Sequence, residues 1–231
     1  MTEPAAFDAC AATYDAALNR GLSLSGESKE YFAHRRIEWL SSRLREHGYR
    51  PMRVLDYGCG TGATARALLM NLPAASVTGV DVSRDSIDVA CRYHADANVQ
   101  FSTIDERQPA GEFDLVYCNG VFHHIEPELR GEALAYISRA LTSRGYFALW
   151  ENNPWNPGTR LVMRRIPFDR DAKTLSAPCA RRLLDAAGFD IMSTDFLFLF
   201  PRPLAVLRPL EARLTHLPAG AQYMVLCRKR V

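Results

Sequence analysis

The sequence predicts a doubly wound α/β domain built on a mainly parallel sheet, and three observations carry that expectation. From Arg53 onward, short apolar runs alternate with helix-spaced segments, the pattern left by successive βαβ units. The first of those runs ends in a glycine turn, Gly58-Cys59-Gly60-Thr61-Gly62, which opens the next helix. The chain has 231 residues, 48% hydrophobic and 23% charged, which suits one globular domain with a decorated end.

The elements follow in order. Helices are expected over 5–19 and 27–47, hinged at Ser23 to Gly26; the second carries Tyr31, Ile37, Trp39, Leu40 and Leu44 as an apolar stripe and stops at Gly48. Strands are expected at 54–57, 76–82, 99–104, 113–118 and 146–150, with helices at 62–71, 84–94 and 128–141 and a short piece near 121–125. Glu151 to Gly158 is rich in asparagine and proline and reads as an ordered loop. Arg160, Arg164 and Arg165 follow on a helix, and another spans 177–187 up to Gly188. Phe189 to Phe200 and Gln222 to Arg228 are strand-like, with an irregular or partly helical insertion at 201–220.

Composition narrows the functional classes. Net charge is +2, but residues 160–231 hold thirteen of the 28 basic side chains and only six of the 26 acidic ones. That end either faces an anionic partner or presents solvated helix faces. No apolar run is long enough to span a bilayer, and Met1-Thr2-Glu3-Pro4 lacks the form of a signal peptide, so a cytoplasmic location is expected. Six scattered cysteines without a C-x-x-C pair suggest neither disulfides nor zinc, and no metal is expected.

The strongest local signal is Val54-Leu55-Asp56-Tyr57 running into the glycine turn. Glycines at 58, 60 and 62 allow positive φ and close approach of a ligand, while the new helix offers unpaired N–H groups. Asp56, at the carboxyl end of its strand, is placed to hold a ligand's ammonium. One βαβ unit later, Val77 to Ser83 ends in a second acid, Asp81, suited to the two hydroxyls of a ribose. Gly58-x-Gly60-x-x-Ala63 also matches a permissive dinucleotide fingerprint. A carboxylate two residues before the first glycine is electrostatically wrong for a pyrophosphate, and no Tyr-x-x-x-Lys is present for hydride transfer.

The nine-residue block 54–62, Asp81, Asp105 and Phe113-Asp114-Leu115-Val116 together resemble the successive motifs of class I S-adenosylmethionine-dependent methyltransferases, over about 53–150. The resemblance implies a Rossmann-like seven-stranded sheet of order 3-2-1-4-5-7-6 with strand 7 antiparallel. It divides a single domain, 1–231, into an N-terminal helical lid (1–50), a cofactor-binding core (51–150) and an acceptor-side loop with C-terminal strands (151–231). S-adenosyl-L-methionine is the implied cofactor. Gly58 and Gly60 would meet its methionine part, as would Asn119 through its backbone, with Cys59 a further cofactor-binding candidate in the turn; Asp81 would meet its ribose, Val82 and Asp105 its adenine, and Tyr14 would close over it.

For the acceptor, His123 and His124 follow the fourth strand and either supplies a general base or merely packs the pocket wall. Glu151 is a rival base. Asn152, Asn153, Trp155 and Arg160 are the substrate-binding candidates; the same asparagines and prolines could simply fix a sharp loop. The resemblance implies a small-molecule acceptor, and methylation on oxygen or nitrogen is the expectation, although carbon and sulfur nucleophiles also occur on this fold. Nucleic acid is disfavoured, because Asn119-Gly120-Val121-Phe122 lacks the Asn/Asp-Pro-Pro-aromatic motif that amino-methylating relatives carry. A non-catalytic cofactor-binding homologue remains a rival. So does an enzyme for a lipid-linked acceptor: Phe196 to Pro201 and Leu204 to Leu210 read either as a lipid contact or as a buried strand with a pocket lid.

Overall fold

The computed structural model describes residues 26–166, 169 and 172–230. The expected helix at 5–19, with Tyr14, lies outside the described residues, as does most of the hinge that follows it.

Seven strands form one sheet in the order β3-β2-β1-β4-β5-β7-β6. β1 (Arg53–Tyr57), β2 (Ser76–Asp81), β3 (Val99–Thr103), β4 (Phe113–Asn119) and β5 (Leu141–Asn152) are parallel. β7 (Gln222–Lys229) runs antiparallel to both β5 and β6 (Phe189–Leu197). This is the sheet order that the resemblance implies. Successive strand residues face opposite layers. In β4, Val116 and Cys118 join a core beneath α4 (Arg130–Ala140) and α6 (Ala177–Ala186), whereas Leu115 and Tyr117 join a core beneath α1 (Lys29–Glu46) and α2 (Ala65–Asn71). α3 (Arg84–His94) covers β2 and β3.

α1 begins where the Ser28 hydroxyl accepts from the Tyr31 N–H, and it buries Ile37, Leu40 and Leu44. Two arginines on its inner side tie it to the sheet. Arg36 donates to Tyr117 Oη at 3.2 Å and to Gln222 Oε1 at 2.9 Å, and Arg43 Nε donates to Asp195 Oδ2 at 3.1 Å.

Several boundaries differ from the sequence expectation. β5 starts at Leu141, directly after α4, and continues through Glu151 and Asn152, which were expected in a loop. Their partners are Tyr223 and Gln222 of β7, an antiparallel ladder that no local pattern announces. The eight-residue loop shrinks to 153–156, because Asn156 Oδ1 accepts from the Thr159 N–H and caps α5 (Pro157–Arg165). β6 stops at Leu197, short of Phe200, and Phe198 takes φ +63°, an uncommon left-handed conformation for an aromatic residue. The buried-strand reading holds for Phe196 and Leu197, Phe198 is buried just past the strand, and Leu204, Val206, Leu207 and Leu210 are exposed on a 3₁₀ segment at 202–210. That segment runs into α7 (Glu211–Leu214).

Candidate active site

The carboxyl ends of β2, β1 and β4 lie side by side, at the point where strand order reverses. Gly58, at φ +74°, makes the first turn there. A Cβ on it would stand 2.3 Å from Val121 Cγ2, so only glycine fits. The turn is strapped to its neighbour strand: the Gly58 and Cys59 N–H groups both donate to the Val80 carbonyl, at 2.8 and 3.0 Å. Asp81 is aimed by the backbone as well, its carboxylate accepting from the Gly60 N–H at 2.8 Å and the Ser83 N–H at 2.9 Å. A carboxylate has about four acceptor positions, so it keeps capacity for a ligand's hydroxyls.

These ends open on a cavity of about 320 Å³. Gly58, Gly60, Thr61, Asp81, Val82, Asp105 and Asn119 line it, with Ile104 and Ile125 among its apolar wall. Cys59 lines neither this cavity nor its neighbour. It is turned inward, with Sγ 3.6 Å from the Gly60 carbonyl and against Gly79, and burial pushes its thiol up.

Asp56 is buried and is not part of either lining, so the expectation that it holds the ammonium directly is corrected: it can act on the cavity only through its charge. Burial, and then the charge of Asp81, push its carboxyl up to about 7, while Arg36 opposes. Its Oδ2 has no hydrogen-bond partner among the described residues, and neither has Asn119 Oδ1. Unmet buried acceptors cost about 1–3 kcal/mol each, so the site is built for a donor from outside. An ammonium at Asn119, a hydroxyl on Asp81 and a flat ring against Val82 and Ile104 would satisfy it. A pyrophosphate would add negative charge beside two carboxylates. The residues present therefore fit S-adenosylmethionine.

A second cavity, of about 470 Å³, adjoins the first, and Asn119, Gly120 and His124 line both. Tyr31 and Phe32 of α1, Leu161 and Val162 of α5, and Phe198 and Phe200 supply apolar wall. Arg36, Asn152, Asn156, Gln222, His123 and Asp169 supply polar groups. Phe32 and Phe198 meet edge to face, centroids 4.9 Å apart. Arg208 lies over the Tyr31 ring at 4.7 Å and pairs with Glu27 at 2.8 Å.

The acid–base candidates fall unequally. Glu151 is buried. Its Oε1 accepts from the Phe122 N–H at 2.8 Å and its Oε2 lies 2.6 Å from His123 Nδ1. Because it lines neither cavity, the expectation of Glu151 as a free base is corrected: it orients His123. His123 Nε2 lies 3.5 Å and His124 Nε2 3.2 Å from Asp169 Oδ1. Burial alone would lower the His123 pKa, but Glu151 and Asp169 outweigh it and hold the ring well above the ordinary histidine range. Burial likewise opposes ionisation of Asp169, and the two imidazoles override it and hold the carboxyl down. His124 is the histidine on the wall common to both cavities.

Three acceptor-side expectations are corrected. Asn153 is fully buried; its amide donates to the Pro218 and Gly220 carbonyls at 3.0 and 2.8 Å, and its Oδ1 accepts from the Trp155 N–H at 3.1 Å. It fixes the loop and leaves nothing for a substrate. Trp155 is 53% exposed and Arg160 is exposed, and neither lines a cavity. Asn152 does line the larger one, held by Gln222 Nε2 at 3.1 Å. Sequence reasoning missed Asp169, Arg36, Phe32 and Phe198. Asp169 follows Pro167-Phe168, and nothing in that stretch ties it to histidines 45 residues earlier.

Residues 55–147 match a family model described as a methyltransferase domain. The trans-aconitate 2-methyltransferase of Rhodopseudomonas palustris is 30% identical over 167 residues, 71% of this chain and 59% of that protein. The malonyl-[acyl-carrier protein] O-methyltransferase of Halalkalibacterium halodurans is 32% identical over 101 residues, 41% of this chain and 37% of that protein. The chain spans less than two thirds of the length of these curated relatives. Among solved structures, the Burkholderia thailandensis 1,6-didemethyltoxoflavin-N1-methyltransferase, with bound 1,6-didemethyltoxoflavin and S-adenosylhomocysteine, matches with TM-score 0.62 at 22% identity, over 100% of this chain and 92% of that one. A DhpI–S-adenosylhomocysteine complex matches with TM-score 0.64 at 18% identity, over 99% of this chain and 95% of that one. Motifs, family model and sheet order converge: residues 55–147 match a methyltransferase domain, and the sheet has the seven-stranded fold shared with those solved structures.

Proposed function

We propose that this chain transfers the methyl group of S-adenosylmethionine directly to an oxygen or nitrogen of a small, largely apolar acceptor. The observation that carries the reading is the wall of Asn119, Gly120 and His124 shared by two adjoining cavities. The smaller cavity has the groups for the cofactor: Asp81 for the ribose, Val82 and Asp105 for the adenine, and Gly58, Gly60 and Asn119 for the methionine end, with the buried Asp56 acting through its charge. When bound, that cofactor supplies a methyl group on a sulfonium, already activated for displacement. The protein's work is then mainly alignment and exclusion of water. Phe32, Phe198, Leu161 and Val162 desolvate the acceptor, and Asn152 and Gln222 orient its polar end. A proton given up by the acceptor passes to the histidine cluster at the shared wall, where His124 stands nearest.

Two of the names favour small acceptors, since one is a trans-aconitate 2-methyltransferase and one has 1,6-didemethyltoxoflavin bound. Calorimetric titration with S-adenosylmethionine, S-adenosylhomocysteine and nicotinamide dinucleotides tests the donor. Binding of the two adenosyl ligands alone is the expected result, and dinucleotide binding or none at all overturns it. A screen of small-molecule acceptors, read as S-adenosylhomocysteine release, then tests the acceptor class. Turnover restricted to nucleic acid would reject it.

A further inference from the structure

The wall between the cavities contains two different kinds of spacing. His123 Nδ1 and Glu151 Oε2 are 2.6 Å apart, the separation of a charge-assisted hydrogen bond. Asp169 Oδ1 stands 3.5 Å from His123 Nε2 and 3.2 Å from His124 Nε2. Those values are long for charged partners, whose bonds run to about 2.7–2.9 Å. They are close to the roughly 3.4 Å that separates two ligands each about 2.0–2.1 Å from one tetrahedral ion. One ligand atom from each of the three residues falls within 4.8 Å of the others.

We infer that His123, His124 and Asp169 form a binding site for one divalent transition-metal ion, with Glu151 as the partner that orients the His123 ring. Two imidazoles and a carboxylate are a donor set for zinc-like or iron(II)-like ions rather than for calcium or magnesium, which prefer all-oxygen shells. The Glu151–His123 contact has the form that metal-bound histidines usually take, the second ring nitrogen donating to a carboxylate. Charge agrees with this. Glu151 and Asp169 bring two carboxylates against His123 in a buried cluster, and a divalent ion that displaces the proton on His123 Nε2 would balance both. Three protein ligands leave a coordination position open, and all three residues line the larger cavity. An ion held there would occupy His124 Nε2, so the ion and not that histidine would ease loss of the acceptor's proton, by receiving an acceptor bearing a ligating oxygen or nitrogen. That last clause rests on the larger cavity being the acceptor site; the metal site itself rests on the distances.

The test uses the full chain, treated with chelator, dialysed against Zn²⁺ or Co²⁺ and assayed for bound metal, with S-adenosylhomocysteine titrated on the same samples. The expected result is one ion per chain, visible absorption bands for the Co²⁺ form, and metal affinity at least about tenfold weaker in Asp169→Asn and His124→Ala. Melting curves of the variants guard against unfolding as the cause. No uptake by the folded protein, or equal uptake by folded Asp169→Asn, overturns the site. Metal uptake without S-adenosylhomocysteine binding upholds the site and rejects the cofactor reading instead.

Discussion

The two cavities meet at one wall but are built from different material. The smaller is shaped by main chain: a glycine turn strapped to Val80 and a carboxylate aimed by two backbone N–H groups. The larger is shaped by side chains that arrive from α1, α5, the end of β6 and Asp169. Backbone geometry tolerates almost no substitution, whereas a wall of side chains can be exchanged residue by residue. One fold can therefore keep a donor site constant while its acceptor site varies.

The largest expected effect strikes the main-chain side. Gly58→Ala forces a Cβ to within 2.3 Å of Val121 at positive φ. A loss of about 3 kcal/mol, roughly a hundredfold in S-adenosylhomocysteine affinity, is expected by calorimetry. Near-normal binding would show that the turn is as pliable as the acceptor wall. Asp81→Ala should come next, weakening cofactor affinity by about 1–3 kcal/mol through loss of charge-assisted bonds; unchanged affinity removes Asp81 from the site.

A pH series sharpens the contrast further. The Asp56 carboxyl is raised to about 7, so it is largely protonated below neutrality and cannot then balance an ammonium. S-adenosylhomocysteine affinity should rise roughly tenfold between about pH 6 and pH 8, and Asp56→Asn should flatten that rise. Stability runs the opposite way. A carboxyl raised in the folded state contributes stability that is full below its unfolded value and is lost as pH rises through about 7, so the unliganded protein should melt lower at alkaline pH. The smallest effect belongs to Trp155→Ala, expected to change stability and cofactor affinity by no more than about 0.5 kcal/mol, because the side chain is exposed and off both cavities. A large drop in acceptor turnover alone would return Trp155 to the acceptor site.

The legibility of the sequence divides along the same line. Strands and donor-site residues could be read because they sit at strand ends and in one glycine turn, where position along the chain nearly fixes position in space. Gly58, Gly60, Asp81, Val82, Asp105 and Asn119 all line the cavity expected for them. Cys59, inside the same turn, faces inward, since the direction of a side chain in a tight turn leaves no mark on residue order. Asn153 and Trp155 were misjudged for a related reason. Chain position put them beside the pocket, but hydrogen bonds to Pro218 and Gly220, some 65 residues on, turned Asn153 into a loop fastener. Asp169 reaches the histidines only through tertiary packing, which no periodicity encodes.

Phe198 gives the acceptor side a point of adjustment. Its left-handed backbone, at φ +63°, costs roughly 1–2 kcal/mol for a residue with a Cβ, and its ring lies against Phe32 on the cavity wall. Glycine suits that backbone without strain, so Phe198→Gly would trade an aromatic wall for space while relaxing the chain beneath it. The end of β6 is thus a place where one substitution would enlarge the larger cavity, relief of backbone strain offsetting part of the buried packing that the ring gives up.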